Sequence, residues 1–229
     1  ERLAALDPDL VVSQGICDVC AVDEVLVRDA VTDLGLDTEV LTTDPHSLGD
    51  VLEDVTRLGS ALGRPDAAAS LRAGLESRIE AVRSEGTGSE RPRVAVLDWL
   101  EPPMVAGHWI PEMVRDAGGT YGLAEPGSRS RPREWADIRA YDPEVLIAAP
   151  CGFGIDQTLA DREALTDRPG WADLTAVERG EVYVMDGHHY VNRPGPRLVD
   201  TLETLATLLE DGNTADESVV QAFSAPGPA

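Results

Sequence analysis

The sequence predicts an α/β protein of two lobes with parallel-type sheets, joined by a long rigid helix, with a ligand cleft between the lobes. Three observations point there. The first is a phrase that occurs twice, Leu6-Asp7-Pro8-Asp9-Leu10-Val11-Val12 and Tyr141-Asp142-Pro143-Glu144-Val145-Leu146-Ile147, its prolines 135 residues apart. In each copy an acidic residue and Pro break a short helical stretch, and a β-branched run then enters a buried strand. The second is that both strands end in Gly/Cys turns, Gln14-Gly15-Ile16-Cys17 and Pro150-Cys151-Gly152-Phe153. The carboxyl ends of parallel strands are where α/β sheets hold ligands. The third is a helical pattern of about 19 residues opening at Pro65, which reaches about 28 Å.

The elements follow in order. Residues 1–62 read as a partial amino-terminal lobe: helix 2–6, strand 10–13, helix 22–34 stopped by Gly35, and strand 39–42. A single β-α-β unit of about 45 residues rarely buries a stable core, so this lobe is expected to be incomplete at its start. No signal-peptide pattern is present, and the sequence is expected to begin inside its lobe. Asp44-Pro45-His46-Ser47 then caps a helix over 48–62 that Gly63 ends. Residues 63–90 form the connecting helix and linker. That helix runs to about Arg83 with Leu71, Leu75, Ile79 and Val82 on one face, and Gly86 to Pro92 is the linker.

Residues 91–212 read as the carboxy-terminal lobe. Its elements are strand 93–99, loop 101–109, helix 110–117 stopped by Gly118-Gly119, helix 135–141, strand 145–149, a further helix, strand 181–185 and helix 197–209. Residues 213–229, ending Ala-Pro-Gly-Pro-Ala, are expected to be a disordered tail.

Composition narrows the function. There are 42 acidic residues against 19 basic ones, every basic residue is Arg, and the net charge is −23. Such a charge repels nucleic acid and anionic lipid, keeps a protein monomeric, and fits adaptation to high salt. No apolar stretch approaches the length of about 20 residues that spans a membrane. G-x-S-x-G, H-E-x-x-H, the P-loop and G-x-G-x-x-G are all absent, so the sequence reads as a binder and not an enzyme.

All ten aromatic residues lie between Trp99 and Phe223. Trp99, Trp109, Phe153 and Tyr190 fall at expected strand ends or in the loops behind them, where rings stack on a flat ligand; Trp135 and Trp171 read as core. Cys17-Asp18-Val19-Cys20 is open to three readings, a redox pair, half of a metal site or a disulfide, and Cys151 sits at the corresponding strand end of the other lobe. With His108, His188 or His189 as a fourth ligand, a metal-ion site is one alternative; small buried residues at tight turns are the simpler one.

Three stretches carry a resemblance. Arg93-Val94-Ala95-Val96, Glu101-Pro102-Pro103-Met104-Val105-Ala106-Gly107 and a helix ending Ala117-Gly118-Gly119 resemble the second lobe of cobalamin-binding proteins, the substrate-binding subunits of cobalamin ABC importers. Gly170-Trp171-Ala172-Asp173-Leu174 through Tyr183 is similar to a phrase of the wider helical-backbone binding proteins, those for iron chelates and haem included. The resemblance implies capture of cobalamin or a related corrinoid outside the cytoplasm, at a cell surface, and delivery to a permease and its ATPase. It implies no cofactor, and lipid anchoring through the missing amino terminus. The same fold binding haem or an iron chelate is the nearest alternative, with Arg129, Arg131, Arg133 and Arg193 meeting an anionic ligand.

Residue by residue, the resemblance places His189, Tyr190 and Arg193 where the family has an Asp, an aromatic and an Arg near the corrin, with Asn192 in the same loop. Met104 stands where the family carries a Phe and Ser130 where it carries a Trp; Trp99 and Trp109 are expected to substitute. His108, Cys151, Gly152 and Phe153 complete the expected ligand surface. The resemblance places Glu1 at the first-lobe carboxylate that pairs with transporter arginines; on the second lobe the matching position is Ala136, and Glu134 or Asp137 beside it is expected to serve.

Overall fold

The computed structural model describes residues 2–15, 24–85, 91–212 and 216–223. The chain divides into two compact units, residues 1–73 and 74–229.

The first unit contains α1 (Arg2–Leu6), β1 (Leu10–Gln14), α2 (Glu24–Asp33), β2 (Glu39–Thr43), α3 (Leu48–Ala61) and the start of α4 (Pro65–Glu85). β1 and β2 pair in parallel, with Leu10 opposite Glu39 and Gln14 opposite Thr43. α3 begins in a capping box: the Ser47 hydroxyl accepts the Asp50 N–H at 3.1 Å, and the Asp50 carboxylate accepts the Ser47 N–H at 2.9 Å. Such caps stabilise a helix by about 1 kcal/mol. Gly63 turns the chain out of α3 with a φ of 65°, and Pro65 opens α4 at a position whose N–H has no helical partner anyway.

The second unit holds the rest of α4, then β3 (Val94–Leu100), β4 (Pro103–Val105), α5 (Ile110–Asp116), β5 (Arg131–Pro132), α6 (Trp135–Tyr141), β6 (Val145–Ala148), α7 (Ile155–Ala160), α8 (Glu163–Thr166), α9 (Thr175–Arg179), β7 (Val182–Met185), a π-turn (Gly187–Val191), α10 (Leu198–Asp211) and β8 (Val220–Ala222). The sheet order is β5-β4-β3-β6-β7-β8. β3, β6 and β7 run parallel; β4, β5 and β8 are antiparallel to their neighbours. Every residue of β6 and β7 and the first four of β3 are buried, as a sheet covered on both faces requires. Leu75, Ile79 and Val82 of α4 are buried in this unit, where Arg78 bonds Glu203 at 2.7 Å and Asp200 at 2.6 Å on α10.

The repeated phrase is a repeated structure. Asp7 and Asp142 end α1 and α6 with φ of 43° and 47°, and their N–H groups reach back to Leu3 and Ile138 carbonyls at 3.2 and 3.1 Å. Each then leads through Pro into a parallel strand.

Four expectations are corrected. The loop over 101–109 contains β4, which three residues opened by a Pro are too short to announce; Pro tolerates the first position of a strand. The helix expected between β6 and β7 is three short ones, α7, α8 and α9. The tail is not disordered throughout, because Val220 to Ala222 pair with β7 and Val220 is fully buried. Leu71 is 45% exposed, since Ala68 is the buried residue in that part of α4. Val22, expected to open α2, and linker residues 86–90 lie outside the described residues. Among the described residues no helix is long and apolar enough to cross a membrane.

Candidate functional site

The carboxyl ends of β3, β6 and β7 in the second unit gather most of the expected site residues. The organiser is the π-turn. Asp186 leaves β7 and its Oδ1 accepts the N–H of His188 and of His189 at 2.8 and 2.7 Å, while its Oδ2 takes His189 Nδ1 at 3.0 Å. The tautomer that gives Nδ1–H to Asp186 carries its lone pair on Nε2; the His189 side chain is 52% exposed. The His188 ring packs edge-on against it, with centroids 4.3 Å apart.

The turn is seated on the end of β6. His188 N–H donates to the Phe153 carbonyl at 3.0 Å, and Asn192 Nδ2 donates to the Ala149 carbonyl at 2.8 Å. Asn192 thus acts as a clamp inside the site. Arg193 Nε donates to the His188 carbonyl at 2.6 Å, and the Arg197 guanidinium lies 5.6 Å from the centre of the Tyr190 ring.

Beyond β6, Cys151 is exposed and its backbone N–H donates to the Asp98 carbonyl at 2.9 Å, and Gly152 takes a φ of 82° beside it. Phe153 meets Trp99 edge-to-face at 5.3 Å, and Trp99 Nε1 donates to the Glu101 carbonyl at 2.9 Å. Met104 is the β4 partner of Trp99 and half-buried. His108 takes the left-handed conformation at φ 52° next to Trp109, their rings 5.6 Å apart.

Trp109 stands apart from this surface. It is 4% exposed and its indole N–H donates to the Val191 carbonyl at 3.0 Å, so it supports the π-turn from beneath. Trp171 is buried at 7% and stacks on the half-buried Trp135 at 6.2 Å.

Two acids are missing from the expected set. Asp186 was legible as the first residue of Asp-Gly-His-His after a strand, a position from which a carboxylate caps the following turn. Asp98 had no such signal. Burial pushes its carboxyl up to about 6, against the opposing pull of the Ser130 hydroxyl; Oδ1 is buried with no hydrogen-bond partner. The Ser130 oxygen in turn accepts the Gly107 N–H at 3.0 Å.

Glu134, at the start of α6, and Asp137 in its first turn are both exposed. Glu1, Cys17 and Cys20 lie outside the described residues. Among the described residues no group of three or more His, Cys, Asp or Glu is placed to hold a metal ion.

The profile of the periplasmic binding protein family matches residues 1–188. Among curated proteins no sequence matches. Solved structures share the fold. The Fe3+-hydroxamate transport protein of Saccharomonospora viridis is 26% identical at a TM-score of 0.68, covering 89% of this chain and 69% of that one. S. aureus IsdE complexed with heme is 17% identical at 0.74, covering 92% and 80%. The vitamin B12 binding protein BtuF of Vibrio cholerae is 18% identical at 0.68, covering 91% and 76%. With the family profile matched over most of its length and the sheet, helices and strand-end surface described above, this chain belongs to the periplasmic binding protein family.

Proposed function

We propose that this chain is the extracytoplasmic solute-binding component of an ABC importer, and that its ligand is cobalamin or a related corrinoid. The observation that carries the ligand is His189. Its Nε2 is free to ligate a metal centre because Asp186 holds Nδ1, and Tyr190, Phe153 and Trp99 supply rings nearby for a flat macrocycle. A B12-binding protein of the same fold supports the reading. The exposed carboxylates of Glu134 and Asp137, with Glu1, would meet arginines of the permease, whose ATPase drives uptake. The net charge of −23 speaks against nucleic acid and for a monomer.

A second reading has its own observation. Arg193 lies against His188 and Arg197 against the Tyr190 ring, and both would meet the carboxylates of haem or of an anionic ferric chelate. Haem-binding and hydroxamate-transport proteins share the fold.

One titration separates the two. Aquocobalamin, haemin and a ferric hydroxamate are each added to the purified chain and to His189→Ala while visible absorbance is recorded. The corrinoid reading expects imidazole to displace the cobalt-bound water, shifting the aquocobalamin bands in the wild-type protein and not in the variant. A shift confined to haemin or the ferric chelate would replace it with the second reading.

A further inference from the structure

Where β3 ends and α7 meets α8, the second unit has a groove of about 300 Å³. Trp99 and Phe153, in contact with each other, form one wall; Leu100 adds apolar surface, and Glu101, Asp161 and Glu163 are its acidic lining. The wall is set in advance. Trp99 is held by its bond to the Glu101 carbonyl, and Phe153 is held edge-to-face against it. Aromatic faces carry negative potential, which attracts cations.

The charges lining the groove are not balanced. Glu101 is neutralised by Arg168 at 2.7 Å. Asp161 and Glu163 form no ion pair among the described residues, and Arg162, between them in sequence, does not line the groove. An anion would face two uncompensated carboxylates, and a purely apolar molecule would desolvate them without return. A hydrated metal ion would leave the apolar lining of Leu100, Pro150 and Phe153 uncovered. What satisfies both sides is a cation with an apolar body.

We propose that this groove is a subsite for a small-molecule organic ammonium group, with the Trp99–Phe153 pair against its apolar body and Asp161 and Glu163 balancing its charge. The groove shares Trp99 and Phe153 with the surface of the corrinoid reading but differs from it in Asp161 and Glu163, neither of which belongs to the surface around His189.

The test is calorimetric titration of the whole chain with choline and with 3,3-dimethylbutan-1-ol, its uncharged equivalent in shape. Salt at about 0.5 M screens the diffuse field of the protein. Choline is expected to bind saturably and at least about tenfold more tightly than the alcohol. Trp99→Phe should keep binding, Trp99→Ala should lose it, and the double variant Asp161→Asn/Glu163→Gln should weaken it at least about tenfold. Far-ultraviolet circular dichroism checks that each variant is folded. Equal affinity for the two probes, no saturable heat with choline, or a double variant that binds choline like wild type would overturn the proposal. The double variant should give the same absorbance titration as wild type with aquocobalamin or haemin, so the two readings fail independently.

Discussion

Asp98 is the residue whose position asks most of its surroundings. A carboxyl inside β3, two residues before its end, with one oxygen bound to Ser130 and the other buried without a partner, is held where its charge is poorly solvated. Its ionisation, displaced from 3.8 to about 6, works against the fold once the group is charged. The folded protein binds this proton more tightly than the unfolded chain does. The Asp98 contribution is therefore most favourable below pH 4, declines as pH rises through about 6, and is lowest and level above that. The displacement corresponds to about 3 kcal/mol at most. Asp98→Asn should raise stability at pH 7.5 by about 1–3 kcal/mol and change little at pH 4, which denaturant melts at the two pH values will measure. Equal effects at both would show that the charge is not the cause.

At the scale of elements, the π-turn decides whether the site exists. It gathers a cap at Asp186, a clamp at Asn192 and a close approach at Gly187, and together these put the His188 and His189 side chains on the surface. A Cβ on Gly187 would lie 2.2 Å from the Pro150 carbonyl oxygen and 2.7 Å from that of Ala149. Backbone cannot give way as a side chain does. Gly187→Ala is therefore expected to lift the turn off β6, costing about 1–3 kcal/mol and weakening ligand binding together with stability. Thermal melting and the absorbance titration measure the two effects. A variant that melts like wild type would mean that the approach is looser than described.

At the scale of the whole molecule, charge dominates. Ion pairs such as Arg57–Asp54 and Arg93–Asp142 engage some of the arginines, but 42 acids against 19 arginines leave most carboxylates facing like charge. The screening length falls from about 10 Å at 0.1 M salt to about 3 Å at 1 M, weakening repulsion over the whole surface while removing only the small gain of exposed pairs. Repulsion is the larger effect here. The melting temperature should rise by about 5–10 °C between 0.1 M and 2 M NaCl. A melting point that does not move with salt would remove the reading of high-salt adaptation.

Local signals determined much of this protein. The Asp-Pro breaks before β1 and β6, the capping residue Ser47, Pro65 opening α4 and the buried runs of β3, β6 and β7 all act within a few residues, so the sequence announces them. The same holds for the clustering of His189, Tyr190, Asn192 and Arg193 in one segment after a strand. What the tertiary structure alone decided are contacts between distant segments. β4 and β8 are three-residue strands that exist because β3 and β7 offer open edges, Trp109 is a buried support because Val191 lies across from it, and Trp99 meets Phe153 because β3 and β6 end side by side. Asp98 looked like any acid in a strand until the loop carrying Ser130 closed over it, since desolvation depends on what covers a group and not on its neighbours in sequence.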